Sequence, residues 1–271
     1  MPSGLRWLRR IALSVFVVAV AALLAARLYY PRLLYPAPQH DAHAPGEGRL
    51  LILKARDGVT VHATEFRGPP DAPVVVYFHG NGVVMGDVFW MARELRRRGL
   101  GVVVCEYRGY GLSAGASGPS EAGLYHDAEA VLAWLAAEGV RFERIALFGE
   151  SLGTGVAVEM AARGRGASLV LVTPYTSIPE VASRFVFGLP VRLLMSERFD
   201  SLAKAPRVRV PALLLHGTDD GVVPYAMGAE LSRALPNAQL ITVTAGHHND
   251  LFLGRGSSLF DRVADFVRQP R

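Results

Sequence analysis

Six continuous apolar runs set the frame for this chain: PVVVYFH, GVVVCEY, RIALFG, SLVLVT, PALLLHG and QLITVT, spread between Pro73 and Thr244. None shows the in-out alternation of a strand with one wet face. Short continuous runs suit strands covered on both sides, as in a parallel sheet. Helical patterns fill most of the intervals. DVFWMARELRRRG closes on arginines and a glycine, a good helix stop. PSEAGLYHDAEAVLAWLAAEG carries leucine, valine and tryptophan at helical spacing, and MGAELSRAL and SSLFDRVADFVRQ read likewise. Ahead of the six runs, RLLILKA and VTVHATEF flank Asp57-Gly58, a hairpin signal. The alternation predicts an α/β fold: a mostly parallel, doubly wound sheet with a leading antiparallel hairpin. A length of 271 residues accommodates one such domain, over residues 49–271, plus an N-terminal appendage. No repeat at solenoid spacing is present. One interval breaks the rhythm, Tyr175 to Arg209, which contains IPEVASRFVFGLPVRLLM. It predicts a small cap inserted over the sheet's carboxyl edge, or else one or two crossover helices.

The first thirty residues have a different character. Arg6, Arg9 and Arg10 precede IALSVFVVAVAALLAA, in which Ser14 is the sole polar residue. Flanking Trp7, Leu8, Leu28, Tyr29 and Tyr30 extend the run towards the ~20 residues that span a bilayer, with aromatics near both ends and Arg27 able to snorkel. More arginines precede the run than closely follow it. This predicts a single-pass anchor over residues 1–30, its N-terminus cytoplasmic and the domain on the non-cytoplasmic side. The alternative is a signal segment cut near Ala19-Val20-Ala21, which would leave ALLAARLYY attached and likewise export the domain. Residues 31–48, rich in proline and polar side chains, read as a linker. His40, Asp41 and His43 lie within it without the rigid spacing a metal site needs.

Composition narrows the partners. The one cysteine, Cys105, excludes an intrachain disulfide framework and a multi-cysteine zinc site, and it sits in the apolar run GVVVCEY as a small core residue. The net charge of +5 comes mostly from arginine, Lys54 and Lys204 being the only lysines. The arginines are scattered over helix faces and loops rather than gathered in a stripe, so no nucleic-acid partner is expected. No cofactor and no metal are expected either.

The pattern G-x-S-x-G occurs twice, as GLSAG around Ser113 and GESLG around Ser151. With 28 glycines in the chain, chance matches are unsurprising, so context decides. A nucleophile elbow needs a strand, a tight turn and a helix starting at once. Ser151 has all three: RIALFG as the strand and TGVAVEMAARG as the helix, whose first amides face any oxygen above the serine. Ser113 follows a turn-like YRGY and runs into loop, a structural position. A serine hydroxyl needs a base, and the base an orienting carboxylate. In such folds they follow the serine in the order acid, histidine. TDDGVVP supplies Asp219 and Asp220 just after one strand; AGHHND supplies His247 and His248 after the next. HGNG, residues 79–82, follows PVVVYF, and the amides of Asn81 and Leu152 would be the oxyanion donors, each such donor being worth ~100- to 1000-fold in rate. His79 reads as a loop-shaping hydrogen bonder rather than the base.

YFHGNG, EYRGYGLS, FGESLGTGVA, PYTSIPEVA, FDSLAKAPRVRVPALLLHGTDDGVVP and GHHNDL together resemble the α/β-hydrolase family. The likeness runs from YYPRLLYPAP to the C-terminal helix and is closest to a membrane-anchored branch that includes protein depalmitoylases, lysophospholipid lipases and bacterial serine hydrolases. It implies the α/β-hydrolase fold and a Ser-Asp-His triad. The family's HG-x-x-D-x-x-V-P pattern falls on Asp220, with Pro224 four residues later, and its histidine before N-D falls on His248. His247 occupies a place often held by a small residue. The implied activity is that of a cofactor-free serine hydrolase cleaving acyl esters or thioesters of a small-molecule or lipid-like substrate. A peptidase or amidase of the same mechanism, and a non-catalytic binding module on the same fold, are the alternatives.

Overall fold

In the computed structural model, residues 3–38, 40, 48–115, 117–186, 191–253 and 256–269 are described. All eight sequence runs form strands: β1 (Arg49–Lys54), β2 (Thr60–Phe66), β3 (Val74–Phe78), β4 (Gly101–Cys105), β5 (Ile145–Glu150), β6 (Ser168–Val172), β7 (Ala212–Gly217) and β8 (Ala238–Val243). They make one sheet in the order β1-β2-β4-β3-β5-β6-β7-β8. β1 pairs with β2, and β2 with β4, antiparallel; every later pairing is parallel. Gly58, at φ 83°, makes the hairpin turn that a side chain would strain.

The helices are α1 (Ser3–Leu34), α2 (Phe89–Arg97), α3 (Glu121–Ala137), α4 (Leu152–Ala162), α5 (Ile178–Ser183), α6 (Val191–Leu194), α7 (Ser201–Lys204), α8 (Tyr225–Ala234) and α9 (Gly256–Arg268). Strand periodicity divides the core in two. Val76 and Phe78 of β3 pack with Leu124 and Val131 of α3, Val156 of α4 and Leu231 of α8. Their neighbours Val75 and Tyr77 point the other way, among Leu95 of α2 and Val263 of α9. Strands β3 to β7 are therefore covered on both faces, which explains why their sequence runs do not alternate, whereas the last run, QLITVT, forms the partly exposed edge strand β8. In register, Phe78 lies beside Gly149, Glu150 beside Val172, and Gly217 beside Val243. The loops after β3, β5, β7 and β8 consequently leave from one edge, the carboxyl edge of the parallel strands.

One segment differs from its sequence reading. The N-terminal helix does not stop at residue 30 but runs through Pro31 to Leu34, and Tyr35 is buried. A proline in a helix loses one backbone bond, but here long-range partners hold the final turns. The Tyr30 hydroxyl lies 2.6 Å from Ser196 Oγ and accepts from the Ser196 amide at 2.9 Å. The Tyr35 hydroxyl donates to Glu197 at 2.6 Å. Residues 31–38 are thus packed structure rather than free linker; Asp41 and His43 lie outside the described residues, and His40 sits 3.2 Å from Asp87. Among its described residues, the interval 175–209, read above as a cap or crossover helices, holds three short helices, α5 to α7, and a closing 3-10 turn over Ala205–Arg207. It leans on α4, where only a glycine at 155 leaves room for the Tyr175 hydroxyl and Phe199, and on the end of α1.

Candidate active site

Ser151 stands between β5 and α4 at φ 48°, ψ −116°, a conformation that a non-glycine residue adopts only under constraint. The constraint is close packing. A Cβ at Gly149 would collide with the Gly153 carbonyl, and one at Gly153 with the Phe78 carbonyl. The two glycines of GESLG therefore let α4 begin against β5 and β3 with the serine at the bend. The Ser151 amide donates to the Val172 carbonyl at 3.0 Å, and the Thr154 amide to the Ser151 carbonyl at 2.9 Å, fixing both sides of the turn.

The loops after β7 and β8 approach from the same edge, and only a glycine at 217 lets them cross, since a Cβ there would strike the Gly246 carbonyl. They deliver a chain of three side chains. Ser151 Oγ lies 2.9 Å from His248 Nε2, and His248 Nδ1 lies 2.8 Å from Asp220 Oδ2. A carboxylate only accepts, so Nδ1 carries the proton donated to Asp220, and Nε2 is left to accept from the serine hydroxyl. Asp220 is buried, and its other oxygen accepts from the Val222 and Val223 amides at 2.9 and 2.8 Å. Burial alone would raise its pKa; hydrogen bonds from His216, His248 and the Val223 amide outweigh it and hold the carboxyl well below the usual carboxylate range. Asp219 and His247 face elsewhere. The Thr218 hydroxyl donates to Asp219 Oδ1 at 2.8 Å, and His247 Nδ1 donates to the Asp219 carbonyl at 3.0 Å. The second candidate serine, Ser113, is buried in a 3-10 turn, where its Oγ accepts from the His62 amide at 3.0 Å and lies 3.2 Å from His62 Nδ1.

Among the described residues, the amides of Asn81 and Leu152 have no protein acceptor. Leu152 is the first residue of α4, where the helix dipole adds positive potential. Gly80 packs against the elbow: a Cβ there would lie 3.6 Å from Ser151 Cβ. Asn81 is held by its side chain, which donates to the Leu34 carbonyl at 2.6 Å and accepts from the Tyr110 hydroxyl at 2.8 Å. His79 spans the Gly80 carbonyl, at 2.9 Å from Nδ1, and Glu106, at 3.2 Å from Nε2, while the Met85 amide donates to both Glu106 oxygens at 3.3 Å. The loop after β3 is thereby pinned from beneath.

Three groups at the site, His216 and Glu106 buried and Glu150 half-buried, escaped the sequence reading. His216 Nε2 lies 3.3 Å from Asp220 Oδ2, the oxygen that also meets His248, and donates to the Val223 carbonyl at 3.0 Å. Its signal was the histidine of HG-x-x-D. Glu106, at the head of EYRGYG, is the second. Glu150, inside the pentapeptide, is the third: the Tyr77 hydroxyl donates to it, and burial pushes its pKa up. No group of three or more His, Cys, Asp or Glu among the described residues is placed to hold a metal ion.

A sheet ordered 1-2-4-3-5-6-7-8 with a serine at the bend after its fifth strand is of the α/β-hydrolase class. Residues 69–199 match the sequence profile of the family described as serine aminopeptidase, S33, and residues 195–271 that of TAP-like proteins. The Mycobacterium tuberculosis protein Rv2307c is 33% identical over 268 residues, covering 93% of this chain and 94% of that protein. Human alpha/beta hydrolase domain-containing protein 17B is 32% identical over 225 residues, 81% of this chain and 75% of that protein. Among solved structures, the Pyrococcus furiosus esterase Pf2001 superposes with a TM-score of 0.70 at 18% identity, covering 85% of this chain and 97% of that one. The Rhodococcus esterase RhEst1 gives 0.62 at 21% identity, covering 80% and 98%. The chain belongs to the alpha/beta-hydrolase family.

Proposed function

We propose that the protein is a serine hydrolase that cleaves acyl esters or thioesters through an acyl-enzyme. One observation carries the reading: Ser151, His248 and Asp220 stand in an unbroken hydrogen-bonded line at 2.9 and 2.8 Å. Ser151 Oγ attacks the acyl carbonyl carbon as its proton passes to His248 Nε2. Asp220 keeps the imidazole in the right tautomer and balances the positive charge it gains. The amides of Asn81 and Leu152 receive the oxyanion. His248 then protonates the leaving group, and a water deprotonated by His248 releases the acyl chain and restores Ser151.

The N-terminal helix supports a lipid-like substrate. Residues 6–34 are long and apolar enough to cross a bilayer, with mean hydropathy 2.5 in the most apolar stretch and none of that stretch buried, which suits either a single-pass anchor or a signal sequence. We favour the anchor. A cut after Ala21 would leave Leu24 exposed on a helix whose foot is built into the domain. Arg6, Arg9 and Arg10 then hold the N-terminus in the cytoplasm, and the catalytic domain lies on the other side. A peptidase or amidase reading draws on the serine aminopeptidase profile. Turnover of p-nitrophenyl acyl esters against aminoacyl p-nitroanilides separates the two: ester turnover that dominates agrees with the proposal, and amide turnover that dominates replaces it. Failure to turn over either, with no labelling by a fluorophosphonate, would leave a binding module.

A further inference from the structure

Among the described residues, the insert over 175–209 exposes apolar side chains that nothing else covers. Leu193 on α6 is 80% exposed and Phe185, just beyond α5, is 65% exposed, with Val186 beside it. Single exposed leucines are ordinary, but these sit on a segment tied to the foot of α1. Arg27 donates to the Leu194 carbonyl at 3.0 Å, Arg27 itself lying one turn before Tyr30 and its bonds to Ser196. The helix thus fixes the height of the insert. From Trp7 to Tyr29 the helix rises about 33 Å at 1.5 Å per residue, close to the ~30 Å of a bilayer's hydrocarbon core. With Trp7 at one interface, Tyr29 and Tyr30 lie at the other, and a segment within one arginine side chain of that level lies there too.

We propose that Phe185, Val186 and Leu193 dip into the interfacial layer of the bilayer that α1 spans. Arg27 reaches the insert from α1, and Arg184 and Arg192 adjoin these apolar residues in the sequence, with stems long enough to snorkel from the headgroup level; Arg192 also pairs with Glu180 at 2.9 Å. The insert leaves the sheet at the carboxyl end of β6, the edge that also carries Ser151. Docking by this patch turns the elbow towards the lipid and presents it with acyl esters resident in the membrane. The inference rests on the anchoring and hydrolase readings above, and its test keeps the three apart.

The full chain is reconstituted in nanodiscs containing anionic lipid, with single cysteines at Leu193→Cys, Phe16→Cys and Glu138→Cys carrying an environment-sensitive fluorophore; buried Cys105 does not compete for label. Lipids brominated at shallow positions should quench the probe at 193, deep-brominated lipids the probe at 16, and neither the probe at 138, near the opposite edge of the sheet. Quenching at 16 without quenching at 193 overturns the docking and leaves the anchor standing. No quenching at 16 refutes the anchor and the docking with it. In the second arm, L193D and F185D each lower turnover of a bilayer-resident ester by about tenfold or more, the factor expected from a side chain no longer buried in an apolar phase. Both keep turnover of a soluble short-chain ester, and equal turnover of the two esters relative to the parent chain counts against the docking. Absence of turnover in the parent chain strikes the hydrolase reading, while the quenching still decides the docking.

Discussion

Replacing Asn81 with alanine separates what its side chain does from what its backbone does. The side chain bridges three elements: it donates to the Leu34 carbonyl at 2.6 Å and accepts from Tyr110 at 2.8 Å and from the Gly82 amide at 3.1 Å. Asn81→Ala removes all three bonds and leaves the amide in place. At about 0.5–1 kcal/mol for each partly exposed bond, the stability cost is about 2 kcal/mol. The catalytic cost follows from position. An oxyanion donor is worth ~100- to 1000-fold, and an amide released from its support keeps only part of that, so kcat should fall by about 10- to 100-fold. KM should move far less, because the lost interaction belongs to the transition state. Steady-state kinetics on a p-nitrophenyl ester, well below a separately measured melting temperature, give both numbers. A variant that melts earlier but keeps kcat within about twofold of the parent would mean that the amide is held in place without its side chain, contrary to this expectation.

Further outcomes follow from the same geometry. Asp220→Asn keeps the shape but favours the wrong imidazole tautomer, and should lower kcat by about 10^4, read by the same assay. The depressed pKa of Asp220 makes its carboxylate a source of stability that is fully present above about pH 5 and is lost as the pH falls below the unfolded value of ~3.9 towards the lower folded one. Denaturant unfolding between pH 6 and 3 should therefore show a shallower acid decline in Asp220→Asn than in the parent. Gly153→Ala drives a methyl into the Phe78 carbonyl, backbone against backbone, and should cost about 3 kcal/mol with loss of activity; a melting temperature equal to the parent's would contradict the packing account of the elbow.

The sheet was legible because burial on both faces writes itself locally. VVVYF, GVVVC and SLVLV need no partner to be identified as covered strands. The strain at Ser151 was legible for a similar reason: Gly149 and Gly153 flank it in sequence and meet each other's neighbourhood in space. Spacing alone did not divide Asp219 from Asp220 or His247 from His248, because adjacent residues on one loop differ only in which way the loop turns them. That turn depends on bonds such as Ala245 to Thr218 and Asp219 to Gly246, made across two loops. The foot of α1 was hidden for the same kind of reason. Proline and polar residues after Tyr30 read as linker, whereas Tyr30, Leu34 and Tyr35 find partners 47 to 167 positions away. His216 and Glu106 went unread because a buried polar side chain looks in sequence like any other until the group it supports is in place.

The proposed reaction requires Ser151 Oγ to be the nucleophile. A fluorophosphonate probe incubated with the native protein, followed by digestion and mass spectrometry, should place the adduct on the peptide containing Ser151. Ser151→Ala should abolish that label and lower ester turnover by about 10^4- to 10^6-fold. An adduct on Ser113, or ester turnover in Ser151→Ala close to that of the parent chain, would contradict it.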